Sequence, residues 1–151
     1  MRLIHKIKYV LRTKPQRVVL ICLQRSGSNM FTSILNQHKR INFIGQIFKD
    51  NQAFQQSLIK KGAIPFKGKL FGDDLAYRKA FYQLEKEKHL RETRNATNFV
   101  ESVFNAFEKE HPQYLHMIKF HGGTLYADEI RNIFLNEKYK IIVFVKIIIF
   151  K

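Results

Sequence analysis

Six consecutive apolar residues, Val18-Val19-Leu20-Ile21-Cys22-Leu23, run straight into the small, basic turn Gln24-Arg25-Ser26-Gly27-Ser28-Asn29, and a helical pattern follows at once. The run is rich in β-branched residues and too short for a buried helix. It reads as a strand buried on both faces, the kind found in parallel sheets. Met30, Phe31, Ile34 and Leu35 then recur as one face of a helix. Between the two, Gly27 lets backbone approach a ligand closely, and Ser28 or Asn29 can cap the helix. The first N–H groups of that helix have no internal partner, and the helix dipole favours negative charge there. Arg25 adds a fork of charged donors. Strand, small-residue loop, helix N-terminus and cation together describe an anion site, most often one for phosphate. An ordinary β–α turn with a surface arginine is the competing reading of Arg25-Ser26-Gly27-Ser28 on its own. The turn has neither the lysine of a Walker A loop nor the three spaced glycines of a dinucleotide fingerprint.

The segment from Gln24 to Phe48 resembles the start of the sulfotransferase family, in its bacterial carbohydrate and lipid-type branch. That family runs from a strand through Arg-Ser-Gly-Ser-(Thr/Asn) into a helix and then a Gly-Glu-x-Phe element. Here Arg25, Ser26, Gly27, Ser28 and Asn29 are followed by Gly45-Gln46-Ile47-Phe48. The similarity returns at Ile141-Ile142-Val143-Phe144-Val145-Lys146, which looks like the family's second donor-site strand. The resemblance implies a donor, 3′-phosphoadenosine 5′-phosphosulfate (PAPS), held through its 5′-phosphosulfate by Arg25, Ser26, Gly27, Ser28, Asn29 and Met30. Lys146 stands where the family has an arginine for the donor's 3′-phosphate. The implied reaction is sulfuryl transfer to a hydroxyl of a carbohydrate or lipid, with Arg25 neutralising charge on the departing oxygen.

Two departures weigh against activity. Gln46 replaces the glutamate that serves the family as general base, and a neutral amide cannot take a proton as a carboxylate can. The chain also reaches Lys151 before the serine that completes the family's 3′-phosphate site, so it reads as a sulfotransferase domain lacking its C-terminal portion. Lys119 and His121 sit where a predicted strand, "YLHMIKF", meets the turn "HGG", at what would be the ligand-facing edge of an open α/β sheet. His121 is therefore a candidate replacement base, histidine serving that role in other branches; a surface histidine beside a glycine turn is its plainer reading. The expected fold is a single α/β domain over residues 1–151, a P-loop-like three-layer arrangement around a central, mainly parallel sheet.

Composition narrows the alternatives. At 151 residues and 45% hydrophobic content the chain can bury one core and gives no sign of two domains. The net charge of +15 suits an anionic nucleotide donor, and equally a basic module for nucleic acid or a membrane surface without catalysis. The cations are scattered, so nucleic acid is not the expected partner. Another P-loop-like nucleotide enzyme such as a kinase is disfavoured, because no Walker lysine follows the glycine. Cys22 is the only cysteine and sits inside an apolar strand, which excludes a disulfide framework; the histidines show no metal-ligand spacing, and no metal is expected. No run is long enough for a transmembrane helix and no signal peptide is legible, so a cytoplasmic protein is the expectation.

Elsewhere the pattern gives organisation. Leu3, Ile4, Ile7, Val10 and Leu11 make a short basic amphipathic helix, of a type that packs on its own domain or makes peripheral contact with an anionic membrane. "GAIPFKGKLFGDD" reads as an irregular loop, with a helix from Asp73 to about Glu92 beyond it. Phe99, Val100, Val103, Phe104 and Phe107 mark an amphipathic helix ended near Pro112, its aromatics placed for a core rather than for base stacking. Ala127 to Asn136 reads as a helix feeding the last strand.

Overall fold

The computed structural model describes residues 16–23, 26–67, 70, 93–121 and 127–144. Within them the chain runs β1 (Gln16–Cys22), α1 (Ser28–Leu35), β2 (Ile41–Gln46), α2 (Gln52–Lys60), α3 (Thr93–Glu110), β3 (Leu115–His121), α4 (Ala127–Phe134) and β4 (Tyr139–Phe144). The helices expected over residues 3–12 and 73–92 lie outside the described residues, as do Arg25 and Lys146.

The four strands form one sheet in the order β2-β3-β1-β4, and every neighbouring pair is parallel. This is the α/β architecture expected from the apolar runs: parallel strands need crossover helices, and the helices bury the strands on both faces. From β1 the chain crosses β3 to reach β2; from β3 it crosses β1 to reach β4. The two crossovers travel in opposite directions, so a constant hand puts α1 and α4 on opposite faces of the sheet. The crevice between the C-terminal ends of β1 and β3 is therefore a topological switch point, the usual ligand position in an open α/β sheet.

The faces divide as strand alternation requires. Val19 and Ile21 of β1 join Ile118 and Phe120 of β3 in a large core with α2, α3 and α4, including Phe48, Leu58, Phe99, Val103, Phe104, Ile133 and Phe134. Val18, Leu20 and Cys22 join Met117 in a smaller one, packed against Phe31 and Leu35 of α1. The helix α1 departs from its expected face. Phe31 and Leu35 pack on the sheet, with Ser28 and Thr32 buried between them, whereas Met30 and Ile34 point to solvent. An eight-residue helix can seat only one stripe, and the i, i+3, i+4, i+7 set beginning at Ser28 is the one that meets the strands.

Helix α2 has no counterpart in the sequence reading. Its cap is Asn51, whose Oδ1 accepts from the Phe54 N–H at 3.0 Å. Near the N-terminal end of β1 Arg17 ties the strand to α3, donating through Nε to Glu108 at 2.6 Å while its guanidinium lies over the Phe104 ring at 5.4 Å.

Candidate anion site at the end of the parallel strands

The turn after β1 folds as a glycine-dependent entry into α1. Gly27 is the N-cap, at φ 83°, a left-handed conformation that suits glycine. The first bond of the helix runs from the Phe31 N–H to the Gly27 carbonyl at 3.2 Å, which leaves the N–H groups of Ser28, Asn29 and Met30 ahead of the helical ladder. Neither Ser28 nor Asn29 caps the helix as the sequence suggests; no side chain does. Both are instead engaged by a lysine. A side chain added at Gly27 would meet nothing within 4 Å, so the space above the turn is open.

That lysine is Lys119, the fifth residue of β3. It is only 3% exposed. Its ammonium donates to Asn29 Oδ1, and to Ser28 Oγ at 3.5 Å. Burial lowers its pKa, a nearby Cys22 thiolate would raise it, and Lys49 lowers it further. Burial likewise raises the pKa of the Cys22 thiol, opposed by a Ser28 hydrogen bond and by Lys119. Among the described residues no carboxylate pairs with Lys119. A buried ammonium thus faces the positive end of a helix with only neutral oxygens between them. Ser26, in the same turn, is 9% exposed, and its hydroxyl has no hydrogen-bond partner among the described residues.

Two further side chains join Lys119 on this face. His121 follows it by two residues at the end of β3, opposite Cys22 in the register. Gln46 arrives by a less direct route. The pairing of β2 with β3 runs Phe43 to Met117 and then Gly45 to Ile118, so Ile44 is an extra residue in a β-bulge. Without it Gln46 would sit opposite Phe120 and point into the large core. With it Gln46 sits opposite Lys119 and shares its face. Gly45 makes the bulge feasible: its φ is 124°, and a Cβ there would stand 3.0 Å from the Phe54 ring.

The structure therefore gathers Ser26, Gly27, Ser28 and Asn29 with Gln46 and His121 at the C-terminal ends of β1, β2 and β3. Met30 contributes its backbone alone, its side chain being 70% exposed. Lys119 is the residue to which sequence reasoning gave no role. Its signal was there: a lysine inside an otherwise apolar strand, at the spacing that puts it on the same face as His121. Among the described residues no group of His, Cys, Asp and Glu side chains could hold a metal ion. Comparisons with protein-family models, characterised proteins and solved structures match nothing to this chain.

Proposed function

We propose that the chain binds PAPS and serves transfer of its sulfuryl group to a hydroxyl of a carbohydrate or lipid acceptor. The observation that carries this reading is Lys119. A buried ammonium beside the first turn of α1 concentrates positive potential where, among the described residues, no carboxylate pairs with it, and a bound oxyanion would relieve both the charge and the open N–H groups. The phosphosulfate end of the donor fits that requirement, with Gly27 leaving room for it and the unpartnered Ser26 hydroxyl able to donate to it. The donor supplies an activated sulfur–oxygen bond; the acceptor oxygen bonds to sulfur as the bridging bond breaks, and adenosine 3′,5′-bisphosphate leaves. Lys119 and the α1 N–H groups would stabilise charge on the departing oxygen. Gln46 would orient the acceptor hydroxyl through its amide, and His121, on the same face, is the group able to take the proton. Arg25 and Lys146 keep the roles the family resemblance implies for them, as donors to the 5′- and 3′-phosphates.

Calorimetric titration with adenosine 3′,5′-bisphosphate, ATP and RNA tests the reading. The bisphosphate should bind best, and Lys119→Met should weaken it by about ten- to a hundredfold, the scale of a lost charge-assisted hydrogen bond. Circular dichroism would show that this variant stays folded. Equal affinity for ATP or RNA, or a Lys119→Met protein that binds as wild type, would overturn it.

A further inference from the structure

The outer side of α1 plays no part in the anion site, yet it exposes large apolar side chains. Met30 is 70% exposed and Ile34, one turn further on, 58%, so the two form a continuous stripe. Ile142 of β4, which alternation places on the same side of the sheet, is 38% exposed. Charge is segregated around them. Helix α1 carries no charged residue, and the exposed cations Lys39, Arg40 and Lys140 flank it. The described acidic side chains on helices, Glu101, Glu108 and Glu110 of α3, belong to the opposite face; Asp50 and Glu137 lie in turns at the ends of the strands.

We propose that this face docks on an anionic lipid surface, with Met30 and Ile34 entering the headgroup boundary and Lys39, Arg40 and Lys140 meeting acidic headgroups. Apolar side chains rimmed by cations are what such a surface binds, and neither element alone suffices. A second copy of the chain fits less well, because two-fold pairing would set the same cationic rim against itself. Nucleic acid fits less well too: phosphates have no use for a Met and Ile stripe, and among the described residues no Phe or Tyr ring is exposed there for base stacking.

The test is flotation of the full chain with vesicles of phosphatidylcholine alone or with about a third phosphatidylglycerol, the anionic component on which such binding depends. Wild type should bind the anionic vesicles and leave the neutral ones. Met30→Glu with Ile34→Glu should reduce binding about tenfold or more, because two apolar anchors are lost. Lys60→Gln with Lys109→Gln lowers the net charge equally but on the opposite face, and should bind nearly as wild type. Circular dichroism would check that both proteins are folded. The proposal fails if wild type ignores anionic vesicles, or if the α1 variant binds undiminished. It also fails if the control pair loses as much, which would mean charge alone drives binding, or if wild type without lipid is a dimer that the α1 variant dissociates. None of these outcomes depends on the bisphosphate titration.

Discussion

On the side of the sheet covered by α2, α3 and α4, Phe48, Phe99, Phe104, Phe120 and Phe134 are all at most 2% exposed, and they pack ring against ring, Phe104 against Tyr139 and the others among themselves. On the side covered by α1, Val18, Leu20, Cys22 and Met117 form a core of four, and Lys119, Ser28 and Thr32 are buried beside it. One face is an apolar interior closed by three helices. The other is a thin layer in which a lysine, two hydroxyls and a thiol share the space under one short helix. The difference teaches where a small α/β domain can afford polar chemistry. The thick face supplies the burial that holds the sheet together, and the thin face can then carry a desolvated ammonium at the switch point.

Truncation on each side should break the comparison most sharply if it is wrong. Phe104 is fully buried and packs on Tyr139 at 5.6 Å between ring centroids. Phe104→Ala should cost about 3–5 kcal/mol in urea unfolding. Phe31, half-buried and stacked on Phe144 at 4.9 Å, should cost less when cut to alanine, about 1–2 kcal/mol. Equal costs would mean that the thin face is as much a part of the core as the thick one.

The bulge is where the two faces exchange residues, so it sharpens the same point. Gly45→Ala forces a side chain into a left-handed conformation and against Phe54, and should cost about 1–3 kcal/mol. Because relief of that strain favours a regular strand, Gln46 should turn away from Lys119. Amide and side-chain shifts at Gln46 and Lys119, read by NMR, would check this; a stable variant with unchanged shifts would show that the bulge does not depend on Gly45.

The smallest effect belongs to His116, fully buried on the thick face. Its Nε2 meets the His111 carbonyl at 2.9 Å, which can only accept, so Nε2 carries the hydrogen and Nδ1 accepts from the Asn42 amide at 3.2 Å. Burial is the largest influence and lowers its pKa; the His111 carbonyl and Glu108 oppose that, while His111 and Arg17 add to it. A histidine with a depressed folded pKa contributes stability above its unfolded pKa of about 6.5 and loses it as pH falls through the folded value. The stability of wild type relative to His116→Gln, followed by urea unfolding from pH 7.5 to 5, should therefore decline as acid is added. A difference that holds constant, or grows in acid, would show that burial does not control this ring.

Much of the framework was legible because it is written in local pattern. The apolar run of β1, the strand from Leu115, the Phe99–Phe107 periodicity of α3 and the residues of α4 all carry their own signal of type and extent. So does the glycine turn, since an apolar run that stops at small residues before a helical period marks a strand-to-helix link. Helix α2 was missed because it buries little beyond Phe54 and Leu58, and two apolar positions in a polar stretch make a weak period.

Local pattern alone is enough for an α/β chain with a glycine turn leading from its first strand into a helix. Only the tertiary structure decided which side chains stand beside that turn. Strand order brought β3, far along the chain, next to β1, and so set Lys119 against Ser28 and Asn29. One extra residue in β2 chose the face of Gln46. Side chains in a strand alternate with a period of two, so a single inserted residue reverses everything after it, and pairing between distant strands is what reveals the insertion.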